Sequence, residues 1–120
     1  MIVLLDPASH VPPFEQVRGQ IEALVAAGSL PPGHRLPTVR RLAGDLGLAV
    51  NTVARAYREL EQAGILVTRG RHGTFVAVRG VDREREVRQA AHLFAQRVRE
   101  LDANTEDALR LVRAALAQRA

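Results

Sequence analysis

A mainly α fold carrying one small β-hairpin is expected from three features of this 120-residue sequence. Apolar residues recur at helical spacing in segment after segment. Gly47 separates two short helical stretches, Thr38 to Leu46 and Ala49 or Val50 to Gln62 or Ala63. Behind them, Ile65 to Arg69 and Phe75 to Val78 read as two strands joined by Gly70-Arg71-His72-Gly73-Thr74. Two short helices about a tight turn, followed by a hairpin with a basic tip, are the layout of a winged helix-turn-helix. This places such a domain over residues 1–79 and a two-helix tail over 80–120.

The elements follow in order. Ile2 to Leu5 is apolar and reads as a short strand or an arm packed on the domain. Pro12-Pro13 prepares a helix start, because proline fits the first turn, where its missing N–H has no partner to lose. That helix shows Phe14, Val17, Ile21, Leu24 and Val25 at helical spacing and ends at Gly28. Leu30-Pro31-Pro32-Gly33 is a turn, and His34-Arg35-Leu36 forms at most a short strand. Thr38 is placed to cap the next helix, which carries Leu42, Ala43 and Leu46. Leu48 is expected to plug the core beyond Gly47, and Gly64 ends the following helix. Past Gly80, residues Val87, Ala91, Phe94, Val98 and Leu101 keep heptad-like spacing. Asn104 or Thr105 then caps a last helix with Leu109, Val112 and Leu116, and Glu106 and Asp107 suit its positive end.

The third helix divides its faces. Val53, Ala56, Tyr57 and Leu60 share one side, while Asn51, Thr52, Arg55, Arg58 and Gln62 share the other. Any surface helix shows polar residues opposite its core stripe, so amphipathicity alone does not name a partner. The preceding helix across a glycine turn, its capped end with free amides, and the basic hairpin behind it together point to double-stranded DNA, with this helix in the major groove. A net charge of +4 and a sequence pI near 11.1 favour an anionic partner without choosing among them. RNA fits less well, because few aromatics are available to stack on splayed bases.

Several classes are excluded. Zero cysteines remove a disulfide scaffold and thiolate metal sites. His10, His34, His72 and His92 are scattered without ligand spacing, and Ser9 and the threonines lack an arranged base. We therefore expect no enzyme, metal or cofactor. No basic start with a long apolar run marks a signal peptide, and no stretch could span a bilayer, so a cytoplasmic protein is the expectation. A length of 120 residues suits one domain and a small appendage, so no separate sensory domain is expected. The run Asp82 to Glu86 alternates in charge and suits an exposed helix start better than a nucleic-acid patch.

The motifs Leu36-Pro37-Thr38-x-Arg40, Leu42-Ala43, Asn51-Thr52-Val53, Tyr57-Arg58-Glu59-Leu60-Glu61-x-x-Gly64 and Gly73-Thr74-Phe75-Val76 resemble the GntR family of bacterial transcription regulators. The likeness to its short YtrA-type branch extends from the segment Asp6 to Val17 through the tail. The resemblance implies a homodimer joined by both tail helices, room for a small effector that no convergent polar group here identifies, and autoregulation of a transporter operon. In longer relatives the position matching Arg40 contacts DNA. Those relatives often carry Arg where this chain has Val50 and Ala54, which shifts base reading toward Asn51, Thr52 and Arg55.

The candidate DNA-binding residues are thus Thr38, Arg40, Asn51, Thr52, Arg55, Arg58, Arg69, Arg71 and His72. Arg55 suits a bidentate contact to guanine, Arg40 suits the backbone or groove edge, and Arg69, Arg71 and His72 suit a wing contact. Two bland readings stand beside these: Arg58 pairing only with Glu61, and Tyr57 in the core rather than a stacking platform. The candidate dimer residues are Val87, Ala91, Phe94, Val98, Leu101, Leu109, Val112 and Leu116, whose stripe either folds back on the first helix or packs on a second copy. Dimerisation is favoured, because two short helices bury too little alone and a palindromic operator is read by a two-fold dimer. The expected function is a DNA-binding regulator, a repressor acting by occupancy. The alternative is a winged helix used as a protein-interaction module.

Overall fold

The computed structural model describes residues 1–118, so the last two residues of the expected tail lie outside it. Helix α1 (Pro13–Ala26) begins on Pro13, with Val17 and Ile21 fully buried. The chain leaves α1 through Gly28 at φ +80°, a left-handed conformation that lets the Leu30 amide reach back to the Leu24 carbonyl at 3.1 Å. Ahead of α1, the first five residues form an arm and no strand. Two glutamines one turn apart on α1 hold it: Gln20 Oε1 accepts from the Leu4 amide at 2.8 Å, and Gln16 Oε1 from the Asp6 amide at 2.8 Å. Each returns its own N–H to the carbonyl of the same residue, so a side-chain amide serves as a neighbouring strand's peptide would. Val3 is buried by this docking, and Ile2 and Leu4 face outward.

Helix α2 (Val39–Leu46) is capped by Thr38, whose Oγ1 accepts from the Arg41 amide at 3.1 Å. Gly47 at φ +68° stops it, the Leu48 amide returns to the Ala43 carbonyl at 2.9 Å, and half-buried Leu48 packs against the core as expected. Helix α3 (Val50–Gln62) follows α2 after the three residues Gly47, Leu48 and Ala49 and buries Val53, Ala56, Tyr57 and Leu60. The Tyr57 hydroxyl donates to the Pro37 carbonyl at 2.7 Å, tying α3 to the lead-in of α2. Tyr57 is a core residue, and burial pushes its phenol above the ordinary range.

The hairpin is shorter than the sequence suggests. Strands β1 (Leu66–Thr68) and β2 (Thr74–Val76) pair antiparallel with Leu66 opposite Val76, Val67 opposite Phe75 and Thr68 opposite Thr74. Gly70–His72 curls into a 3₁₀ turn, closed where the Arg69 amide donates to the Gly73 carbonyl at 2.9 Å, so β1 stops at Thr68 and not Arg69. It starts after Ile65, whose amide goes to the Leu60 carbonyl at the end of α3, and β2 takes in Thr74 and stops at Val76, leaving Ala77 and Val78 outside it. The segment His34 to Leu36 adds a third edge to β2. Val76 donates to the His34 carbonyl and Leu36 to the Thr74 carbonyl, both at 2.8 Å, and Arg35 lies opposite Phe75.

Helix α4 (Gly80–Glu100) ends in a turn through Asp102 at φ +53°, and α5 (Thr105–Ala117) is capped by Asn104, whose Oδ1 accepts from the Glu106 and Asp107 amides. Arg79 with Asp82 and Glu84 with Arg88 pair along the start of α4, as expected of a solvated helix opening. The chain divides into two compact units, Met1–Val78 and Arg79–Ala120. The first gathers α1, α2, α3 and the sheet about one core built on Val17, Ile21, Val53, Leu60 and Val76. In the second, Ala108 is the one buried residue among those described. No described helix is long and apolar enough to cross a membrane.

Candidate nucleic-acid interface

Burying Val53, Ala56, Tyr57 and Leu60 fixes the rotation of α3 and leaves Asn51, Arg55, Arg58 and Gln62 exposed, with Thr52 half-buried. At its amino end, Ala49 supplies no side-chain cap, so the first amides of α3 remain open to an outside acceptor. Thr38 and Arg40 are exposed at the start of α2. The Thr38 oxygen is engaged as the cap, and its hydroxyl hydrogen stays available to donate. Arg69, Arg71 and His72 are exposed around the wing tip. Arg69 lies over the Phe75 ring at 4.7 Å from its centroid.

Ion pairing separates the arginines of this unit into two groups. Arg18 pairs with Glu22 at 3.1 Å, Arg41 with Asp45 at 3.9 Å and Arg55 with Glu59 at 3.4 Å. Among the described residues, Arg35, Arg40, Arg58, Arg69 and Arg71 have no acidic partner. An Arg58–Glu61 pair is therefore not formed, and the reason is local: Glu61 accepts instead from the Thr68 hydroxyl on β1, which draws its carboxylate toward the sheet. Four of the five unpaired arginines are candidates singled out above. The fifth, Arg35, the sequence reading passed over.

Arg55 is less free than its helical position implies. Its guanidinium sits 3.6 Å over the centroid of the Phe14 ring on α1, while its Nε faces Glu59 Oε2. That oxygen is shielded from solvent and has no hydrogen-bond partner among the described residues, so the contact is an ion pair without hydrogen-bond geometry. The side chain is still 56% exposed. Phe14, read from the sequence only as part of the apolar spacing of the first helix, is half-buried and covered by this cation.

In the second unit the sequence-derived stripe is mostly open. Val87, Ala91, Phe94, Leu101, Leu109 and Leu116 are exposed, and Val98 and Val112 are half-buried. Leu93 and Leu111 are also exposed. Each flanks the heptad-like stripe by one position, so a search for strict spacing overlooked them. Among the described residues no cluster of His, Asp or Glu could hold a metal ion.

The model for "Bacterial regulatory proteins, gntR family" matches residues 13–76, from the start of α1 to the end of β2. The chain belongs to the GntR family. It is 62% identical over 73 residues to the HTH-type transcriptional regulator Rv1152 of Mycobacterium tuberculosis, covering 61% of this chain and 60% of that protein. It is 40% identical over 76 residues to the HTH-type transcriptional repressor YtrA of Bacillus subtilis, covering 63% of this chain and 58% of the other. The matches thus span about 60% of the length of these two relatives. Among solved structures, YtrA from Sulfolobus acidocaldarius, a GntR-family transcription factor, superposes with a TM-score of 0.62 at 33% identity, over 78% of this chain and 98% of that one. The DNA-binding domain of AraR in complex with operator ORX1 superposes with a TM-score of 0.55 at 29% identity, over 62% of this chain and 92% of that one. The fold of this GntR chain is accordingly the winged helix-turn-helix, and its relatives are named as transcription regulators rather than as enzymes.

Proposed function

We propose that this GntR-family chain is a sequence-specific DNA-binding transcription regulator, acting as a homodimeric repressor on an inverted-repeat operator. The observation that carries this reading is the distribution of unpaired arginines. Arg40 on α2, Arg58 on α3, and Arg69 and Arg71 at the wing tip keep unneutralised guanidinium groups, whereas Arg18, Arg41 and Arg55 are matched locally by acids. Unpaired cations on a folded surface repel one another and are offset when they meet a polyanion. Helix α3 enters the major groove, where Arg55 reads guanine and Asn51 and Thr52 meet a base or phosphate near the helix start. Thr38, Arg40 and Arg58 position the backbone, and Arg69, Arg71 and His72 steady the register through the wing. The mechanism is occupancy: the bound protein excludes other machinery from the promoter and performs no chemistry.

The homodimer reading rests on the second unit. A two-helix piece whose one buried residue, among those described, is Ala108 removes little apolar surface from water, too little to offset the ordering of its backbone. Phe94, Val87, Leu101, Leu109 and Leu116 are then covered by the same face of a second copy, joined with Ala91, Val98 and Val112 at the seam. The name of the Bacillus subtilis relative, a transcriptional repressor, supports repression. Autoregulation of a transporter operon is proposed on the motif resemblance to the YtrA-type branch, and an inverted repeat in the gene's own promoter would be the matching operator.

The test is binding to random and promoter duplexes across a range of salt. We expect a log-log slope of about −0.9 per phosphate contact and, for the selected site, a preference of at least about a thousandfold over unrelated DNA. A flat salt dependence, or no selection of sequence, would replace this reading with a protein-interaction module.

A further inference from the structure

The two faces of the small sheet differ completely. Opposed residues of an antiparallel pair point to the same side, so Leu36, Leu66 and Val76 together line the buried face. The other face carries Arg35, Phe75 and Val67 in a row, because Phe75 is opposite Arg35 on one flank and Val67 on the other. Two residues toward the tip on that same face stands Gly73. Its φ is +107°, a backbone conformation that side chains disfavour, and an added Cβ would lie 3.0 Å from Arg35 Nε and 3.3 Å from Arg35 Nη2. The Arg35 guanidinium therefore occupies the space that a side chain at 73 would fill. Arg69, whose amide is bonded to the Gly73 carbonyl, places its own guanidinium over the Phe75 ring. Neither arginine has an acidic partner among the described residues.

Two cations are thus brought to one exposed, apolar-floored face of the wing from positions 34 residues apart in the chain. Bringing two like charges to one face, Arg69 over Phe75 and Arg35 over Gly73, opposes stability unless an anion meets them. The chain has no lysine, and its seventeen permanently charged side chains of positive sign are all arginine, whose planar fork binds a phosphate through two parallel N–H groups. We infer that Arg35 is a phosphate-binding residue of the wing, acting beside Arg69 on one stretch of DNA backbone, and that Gly73 is glycine in part because its empty side-chain space is the channel through which Arg35 reaches the tip. The inference rests on the DNA-binding reading above and adds a contact from the segment between α1 and α2.

The experiment compares the full chain with Arg35→Gln and Arg35→Lys, measuring affinity for one fixed duplex against salt and the sequences each variant selects from a random pool. Gln keeps much of the length without the charge, and Lys keeps the charge without the fork. Arg35→Gln should weaken all duplexes alike, reduce the magnitude of the log-log salt slope by about 0.9 and leave the selected sequence unchanged. Arg35→Lys should retain the parent slope. If the slope for Arg35→Gln equals that of the parent, Arg35 only packs over Gly73 and the inference fails. A changed preference at one base position would also overturn it, in favour of base reading by Arg35. Failure of the underlying reading is distinct, since then the unaltered chain itself shows no salt-dependent DNA binding.

Discussion

Residues 1–78 hold eight arginines against six acidic residues, and residues 79–120 hold nine against seven, so each unit carries a net charge of +2. Their interiors have nothing in common. The first buries thirteen apolar residues about α1, α3 and the sheet, whereas the second buries Ala108 alone among the described residues while Leu116 stays 79% exposed and Val87 64%. Equal charge with unequal burial shows that charge does not say which unit faces the nucleic acid. Nor does pairing alone, since Arg83, Arg85, Arg99 and Arg113 of the second unit also lack an acidic partner among the described residues. The assignment comes from where the unpaired arginines of the first unit lie, on α2, α3 and the wing tip, and from which apolar residues find partners within their own unit. A unit that satisfies its own core is free to offer a polar face, and one that does not must offer its apolar face.

The largest effect should separate the units by how their stability responds to concentration. Leu60 is 1% exposed at the centre of the first core, so Leu60→Ala should destabilise that unit by about 2–5 kcal/mol at any protein concentration. Leu111, 57% exposed, leaves no cavity in a single chain. Leu111→Ala should lower the melting temperature only where the chain is a dimer, and the difference should vanish on dilution. Melting both variants over a wide concentration range checks this, and a concentration-independent loss for Leu111→Ala would mean that the tail is stabilised within one chain.

Next in size is the loss of paired binding. A chain stopped after Arg79 keeps the whole first core and should sediment as a folded monomer with weak, salt-sensitive DNA affinity. It should lose the gain from engaging two half-sites, which effective concentration sets at roughly a hundredfold or more. Phe94→Asp should do the same by placing a charge in the seam. A truncated chain that stays dimeric at micromolar concentration would move the interface to α1 or to the amino-terminal arm, where Ile2 and Leu4 are exposed.

Most of the first unit was legible because its signals are local. Pro13, Thr38, Gly47 and Gly64 punctuate the helices through backbone geometry that a few residues decide, and the spacing of Val53, Ala56, Tyr57 and Leu60 orients α3 without reference to anything distant. What escaped is what depends on partners far along the chain. The glutamines that hold the arm read as ordinary helix polarity. Arg35 acquires meaning only once β2 brings Gly73 beside it, and Phe14 only once α3 lays Arg55 across its ring. The Arg58–Glu61 spacing suggested a pair, and a hydroxyl on β1 took the carboxylate instead. In the tail, strict heptad counting found the stripe yet missed Leu93 and Leu111, since a helix short of core presents a wider apolar face than a coiled-coil seam.

Within the polar face of the first unit, two arginines should fail differently. Arg55→Ala should relax base preference at one position per half-site at a cost of about 1–3 kcal/mol, whereas Arg40→Ala should weaken related sites alike and flatten the salt slope by about one. Sequences selected by each variant from a random pool decide it. An unchanged preference for Arg55→Ala would leave Arg55 as a tie between α3 and α1 and pass base reading to Asn51 and Thr52.

The smallest effect tests how Arg55 divides its attention. Its stack on Phe14 is worth about 0.5–1 kcal/mol at an exposed site, and its pair with Glu59, one turn along the helix, about 0.3–0.5. Together these approach the lower end of what a bidentate guanine contact supplies, so the pose seen here competes with base reading instead of preparing it. Phe14→Leu removes the ring and keeps an apolar side chain on α1. With the stack gone, guanine discrimination at the Arg55 position should sharpen by about two- to fivefold, the equivalent of 0.5–1 kcal/mol, while affinity for unrelated duplex stays as it was. Competition binding between the preferred site and its single-base variants reads the effect directly. A loss of discrimination would reverse the argument: the ring would then be the support that aims Arg55 at the base, and α1 would belong to the reading apparatus rather than to the scaffold behind it.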